Sequence, residues 1–540
     1  MNKCSFVWIL VKQWIAALPL ESQLDAHLHN HMNSEIVTRT ITSKQDGKEI
    51  ERDERLRIYY SFVNFIFFSS FFFTAVDYIT WTFMYRRLVQ NPNYYNLTGT
   101  THRHLSDYLS KLVEDTIGDL SNAGMVQEDD DKLNALNPGI VSAYYYISYV
   151  SIDLFVSSLT AKSKMRALLE VVAAASEFDQ IPVRHHESGK LRKLASHLPM
   201  KLEGSFTDGR SKINVSIHVG CFGLFGLFGL FGLFGLVCCF FCFVLLFVVF
   251  LLKISMKVLL QCHFSRFQLP IELAQDQKYV VATAFRLLSA IVDLVSTEGW
   301  LGPALAAQEL CQMIVQGMWD SDSHLLQLPH LGEEGEQEKK KKRETNKKKS
   351  IVFTFLSKTA LAIAAANKIE TIYDFQELDD KMRGKILQGL NKKQVAEVAH
   401  VCNRYPDVEL SFAVENESNL TTSDAIVVVV QLERDVDESA GAVGPVPAPL
   451  FPKEHAEGWW LVVAHQDTLL GIKKVAFGRT GRERLEFMPP SGVSGELKLK
   501  LYLMSDCFLG ADQEFDIAVD VQQGDDEDED EEPQPMDTRR

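Results

Sequence analysis

The chain lacks a phosphate-cradling loop. No G-x-x-x-x-G-K-[ST] occurs in its 540 residues, so no lysine is set to hold a nucleotide's phosphates. Cysteine is scarce, nine scattered residues, which excludes a disulfide-built extracellular scaffold and reads as a reducing, intracellular compartment. Cys239-Phe240-Phe241-Cys242 is the one C-x-x-C, and no second pair completes a zinc site. No nucleophile, base and acid are grouped for catalysis, so the chain reads as a non-enzyme with no cofactor and no metal. Excess positive charge is missing as well. The 55 Lys and Arg face 71 Asp and Glu, net −16, which excludes a generally basic coat for nucleic acid. Half of that excess is the single run Asp525–Glu532.

What is present is enough apolar sequence, 46%, for several real cores. Part of it is unusual. Cys221–Leu252 runs without a charge, beyond the roughly 20 residues that span a bilayer, with Lys253 and Lys257 at its C-terminal flank. Phe-Gly-Leu repeats in tandem from Phe222 to Leu236, and each glycine costs a helix roughly 1 kcal/mol relative to alanine in water. Phe, Leu, Val, Cys, Gly and Ser are also what thymine-rich simple-repeat DNA encodes. Two readings stand side by side: a single membrane span, or translated intron sequence. Ser61–Phe73 has the same composition but is too short to span alone. Met1–Leu18 carries no signal-peptide layout.

Along the chain, the pattern is α first and β later, a mixed multidomain architecture. Residues 1–46 form a helical lead-in with Leu24, Leu28, Met32 and Ile36, and residues 47–74 read as an insert. Leu105, Leu109, Leu112, Val113 and Ile117 mark a helix, Gln127–Asp131 an acidic loop, and Asn137-Pro138-Gly139 a helix start. Residues 137–330 read as a helical bundle of long amphipathic helices, interrupted by an apolar insert at 209–256. Gly302-Pro303 opens an alanine-rich helix. Residues 331–367 are a charged linker with Lys339–Arg343 and Lys347–Lys349, and two short helices joined at Gly389-Leu390-Asn391 give 368–405 the spacing of a helix-hairpin-helix. From Pro406 the period switches to two. Seven or so short strands predict a β-sandwich over 406–522, followed by an acidic, disordered tail at 523–540.

Candidate chemistry is thin. Lys162, Lys164 and Arg166, and again Lys190, Arg192 and Lys193, lie on predicted helices and are candidate RNA-backbone contacts, although a solvated face explains them equally well. His27, His29 and His31 alternate, and His185-His186-Glu187 form a polar trio. Both read as satisfied polar groups, because a metal site needs further convergent ligands. Asp437-Glu438-Ser439-Ala440 imitates a helicase acidic box but reads as a surface turn. The Asn96, Asn214, Asn416 and Asn419 sequons matter only in a secretory lumen. Trp459 and Trp460 read as core.

Several runs resemble a known family. Val76–Arg87 and Asn91–Tyr95 are similar to the winged-helix region after the second cassette of the spliceosomal U5 snRNP large DExH-box RNA helicases. Ser142–Ile147, Ile181–Glu187, Gly299–Leu301, Pro303–Ala307, Cys402–Pro406, Pro449–Pro452, Glu457–Trp460 and Tyr502–Asp506 resemble their Sec sixty-three homology domain. The resemblance covers most of the chain and breaks at 47–74, 209–256 and 331–367. It implies a winged helix at 75–136, a helical bundle, a helix-hairpin-helix and an immunoglobulin-like sandwich, without RecA-like lobes or their ATPase motifs. It further implies a nuclear interaction module in pre-mRNA splicing, with spliceosomal proteins as partners and RNA contact through a bundle helix. The rivals are a membrane-anchored relative of the endoplasmic-reticulum translocation factor, from which the His-Pro-Asp signature is missing, and a non-functional truncated product.

Overall fold

The structure is a computed structural model that describes residues 23–43, 73–97, 99–129, 132–179, 181–182, 184, 187–200, 255–331, 360–415, 420–435, 443–490 and 495–522. The apolar run 221–252, the acidic box at Asp437–Ala440, the C-x-x-C, the acidic tail and the sequons at Asn214, Asn416 and Asn419 lie outside the described residues. The chain divides into two compact units, Met1–Ser158 with Ala175–Glu177, and Leu159–Ala174 with Phe178–Arg540.

In the first unit, α1 (Gln23–Val37) leads into β1 (Ile41–Ser43). β2 (Phe73–Thr74), α2 (Ala75–Thr80), α3 (Phe83–Gln90) and α4 (His102–Asn122) follow. Then come β3 (Val126–Asp129), β4 (Lys132–Ala135), α5 (Asn137–Tyr145) and α6 (Tyr149–Ser158). The sheet order is β2-β1-β4-β3, with β1 parallel to β2 and antiparallel to β4. Phe73 and Thr74 thus belong to the folded sheet, although they fall in the stretch read as insert. Met32, Ile36, Ile41, Ile79, Leu88, Ile117 and Leu120 are buried and form the core. Along α4 the buried stripe is Leu105, Leu109, Val113, Thr116, Ile117 and Leu120, the 3.6-residue period the sequence displays. Within the expected acidic loop Gln127–Asp131, Gln127–Asp129 is instead strand, paired antiparallel with β4, Val126 opposite Ala135 and Asp129 opposite Lys132. Val126 and Leu133 alone are buried there, so no alternation betrays the strands.

The expected long helices between Ile140 and His197 are short. α5 ends at Tyr146, whose φ of 54° is left-handed, and α6 spans ten residues. In the second unit α7 (Met165–Val172) and α8 (Ser188–Ala195) span eight each. A helix over 255–264 (α9) precedes α10 (Ile271–Thr297) and α11 (Leu301–Gln316). α10 and α11 pack as a hairpin about Gly299, at φ 71°. Pro303 sits in the first turn of α11, where a missing N–H leaves no bond unmade. Three short helices, not two, follow the helix at 360–366 (α12). They are α13 (Ile372–Gln376), α14 (Asp380–Ile386) and α15 (Lys392–Cys402). The extra one is held by a capping box between Thr371 and Asp374.

Seven strands complete the unit: β5 (Val408–Glu415), β6 (Ile426–Arg434), β7 (Trp459–His465), β8 (Thr468–Val475), β9 (Thr480–Phe487), β10 (Gly495–Ser505) and β11 (Gln513–Val521). They form two antiparallel sheets, β11-β10-β7-β8 and β5-β6-β9. Trp459, Leu461 and Val463 of β7 share one core with Leu497–Leu503 of β10 and Val428–Leu432 of β6, alternate residues facing inward. Trp460, Val462 and Ala464 on the reverse face of β7 are buried as well. Helices α10 and α11 lie against β8 and β10, so this sheet is covered on both sides. Both tryptophans are therefore core, on opposite faces.

Candidate interaction surfaces

Of the first three candidate cations, Arg166 alone stands in a helix. Lys162 occupies a turn and Lys164 is the N-cap of α7. Arg166 reaches Glu170 at 3.6 Å, and Lys257 approaches the same carboxylate at 3.7 Å. Lys190, Arg192 and Lys193 do share one helix, α8, and all three are exposed while Leu191 is buried. Arg192 and Lys193 lie in its last turn, where cations complement the dipole.

The approach to α8 is anchored. Arg184 donates to Glu187 at 2.6 Å and to Asp276 of α10 at 2.8 Å, and this pairing holds its guanidinium charged. Glu187, read as a satisfied polar group, is buried as part of this bridge. Along α10, Lys278 is exposed, and among the described residues the buried Nε of Arg286 has no hydrogen-bond partner. A lone arginine inside an apolar helix leaves no composition signal, and the sequence reading passed over it.

The histidines find protein partners. His29 Nε2 lies 3.0 Å from an Asp119 oxygen, and His31 Nε2 lies 2.7 Å from the Tyr78 hydroxyl. Burial pushes the His31 imidazole below its ordinary value, partly opposed by Glu35. Among the described residues, one group gathers metal-type ligands: His455, Asp506 and Cys507, with ligand atoms within 4.8 Å. Asp506 is already balanced. It accepts from the Gly458 N–H at 2.9 Å, lies 3.2 Å from His455 Nε2 and faces the Lys474 ammonium at 3.8 Å. Burial raises the Cys507 thiol well above its ordinary value, so it stays protonated.

Beside this group, three glutamines clamp the Ser505–Asp512 loop. Gln312 donates to Ser505 O and the Asp512 carboxylate, each at 2.9 Å. Gln316 donates to Cys507 O at 2.7 Å, and Gln327 to Leu509 O at 2.9 Å. The bundle and the sheets of the second unit are thereby joined through buried polar contacts. Exposed apolar side chains cluster in the first unit, at Trp81, Phe83 and Tyr94, and at Ile140, Tyr144, Tyr146, Val150 and Val156.

Comparison with known proteins gives two family matches. The Winged Helix-turn-helix domain matches residues 73–130, and the Sec63 Brl domain matches 135–219 and 253–518. The second match breaks at 220–252, within the apolar insert, and runs on through 331–367, which the sequence resemblance had left without a counterpart. The chain is 39% identical over 512 residues to the U5 small nuclear ribonucleoprotein 200 kDa helicase of Homo sapiens, covering 94% of this chain and 19% of that protein. The Drosophila melanogaster protein of that name is 40% identical over 513 residues, covering 93% and 19%. An Activating signal cointegrator 1 complex subunit 3-like protein of Dictyostelium discoideum is 36% identical over 512 residues, covering 93% and 18%. The chain spans about a fifth of the length of these relatives.

Proposed function

The chain belongs to the Sec63 Brl domain family, and from that membership we propose that it is a non-catalytic interaction module resembling the C-terminal part of a spliceosomal RNA helicase. The observation that carries this reading is the likeness to U5 helicases along nearly the whole chain, in a sequence without a phosphate loop. The module docks on spliceosomal proteins in the nucleus and, joined to RecA-like lobes, helps to guide RNA. Its sub-folds are a winged helix at 75–136, a helical bundle at 137–330, a helix-hairpin-helix at 368–405 and an immunoglobulin-like sandwich at 406–522. Two buried faces on the four-stranded sheet favour a sandwich fused to the bundle over independent modules.

The exposed side chains of Ile140, Tyr144, Tyr146, Val150 and Val156, on and between α5 and α6, supply apolar area suited to protein docking. The exposed cations Lys190, Arg192 and Lys193 of α8 supply the phosphate-facing side. The membrane reading of 221–252 draws no support from the described residues. One helix among them, Ile271–Thr297, is long and apolar enough to cross a bilayer, and 67% of its apolar window is buried inside the protein.

The test is direct. Purified chain mixed with ATP and RNA is expected to release no phosphate above a blank, and RNA-stimulated hydrolysis overturns the non-catalytic reading. The variant Lys190→Glu/Arg192→Glu/Lys193→Glu is expected to hold RNA less tightly, with a salt slope shallower by up to about 3. Unchanged RNA affinity removes those three residues from the interface.

A further inference from the structure

We propose that the first unit carries a binding surface for single-stranded RNA, built from Trp81, Phe83 and Tyr94 with the arginines Arg86 and Arg87. The surface is independent of the α8 cations, which belong to the second unit. The first observation is charge. In a chain of net −16, the 29 residues Tyr78–Ser106 contain no Asp or Glu, while they hold Arg86, Arg87 and Arg103. The second is exposure of large rings: Trp81 is 73% exposed, Phe83 60% and Tyr94 55%. Rings of this size normally supply core, and here Met84 and Leu88 anchor α3 from its opposite side.

Geometry groups these side chains. Phe83 and Arg86 are three residues apart on α3 and therefore share a face. The Arg87 guanidinium carbon lies 5.5 Å from the centre of the Tyr94 ring, and Tyr94 meets Tyr95 edge-on at 4.9 Å. The turn Asn91–Leu97, closed by Leu97 N–H to Pro92 O at 2.9 Å, presents Tyr94. A few residues later α4 begins. Its N-cap, Thr101, bonds the His104 ring at 2.6 Å instead of capping the backbone, beside exposed His102 and Arg103.

Aromatic platforms interleaved with arginines and free of carboxylates suit a single strand, since every base offers a π-face and every linkage a phosphate. Protein interfaces share this enrichment in aromatics and arginine, so RNA affinity itself decides between the two occupants. Base-paired RNA hides its base faces and leaves the rings nothing to stack on.

The experiment uses the full chain, with fluorescence anisotropy of a labelled oligouridylate at low and at physiological salt. Phe83→Ala/Tyr94→Ala is expected to weaken binding on the order of tenfold. Arg86→Glu is expected to weaken it and flatten the salt slope. A matched duplex should bind the wild type more weakly, and Lys190→Glu/Arg192→Glu/Lys193→Glu should leave the Phe83/Tyr94 effect intact. If the ring variant does not fold, Arg86→Glu decides, because its side chain is at the surface. Wild-type affinity in folded Arg86→Glu overturns the proposal, as does equal binding of duplex. Loss of a protein partner with RNA affinity unchanged also overturns it and reassigns the face to protein.

Discussion

Gly510 turns the chain at φ 81°, and a Cβ built there would stand 2.3 Å from Nδ1 of His324. Both the conformation and the contact exclude a side chain, so Gly510→Ala is expected to cost on the order of 2–4 kcal/mol, read as a lower denaturation midpoint. Two residues on, Asp512 is pushed up to about 6, chiefly by burial and against the hydrogen bonds from Gln312 and Ser505. A carboxyl whose folded value exceeds its unfolded value of 3.8 keeps its proton longer in the native state. The unfolded chain ionises first as pH rises, so this group's contribution is full below about 4 and falls through about 6. Melting of the wild type against Asp512→Asn between those pH values should show the wild type losing relative stability as pH rises, and the asparagine variant lacking that slope. Such residue-level features were not legible in the sequence. A buried acid such as Asp512 and a glycine such as Gly510 acquire their properties from Gln312 and His324, about two hundred positions away.

Elements were legible where one face is buried and the other wet. The stripe of α4 and the alternation of β5 and β10 follow the 3.6 and 2.0 periods directly. The β3–β4 hairpin was hidden because it buries one residue per strand. Helix lengths between Ile140 and His197 were overestimated because a left-handed Tyr146 has no composition signal. β7 looked like a plain core strand, yet its two faces serve different cores, Trp459 between the sheets and Trp460 on the reverse face with Lys474 over its ring at 4.8 Å. Trp460→Ala is therefore expected to cost about 3–5 kcal/mol in chemical denaturation, as a fully buried ring does. A loss below about 1 kcal/mol would mean that the helix-covered face is not a packed one.

At the scale of the whole molecule, order and architecture were readable from the family-specific runs, whereas the extent of each insertion was not. The Met200 N–H donates to Gln261 Oε1 at 3.1 Å, so the described residues on the two sides of 201–254 meet. Ser255, where the described chain resumes, stands about 9 Å along the helix axis from Gln261, a gap that the residues flanking 220–252 are numerous enough to bridge. Deleting 220–252 is accordingly expected to leave cooperative unfolding intact and to raise soluble yield. Loss of the cooperative transition would assign the run a structural role.

Quantitative mass spectrometry of proteins retained from nuclear extract by the immobilised chain, against an Ile140→Glu/Tyr144→Glu variant, tests the docking function most directly. Spliceosomal proteins are expected to be enriched on the wild type and lost from the variant. Equal retention on both, or enrichment of membrane-translocation proteins instead, would contradict it.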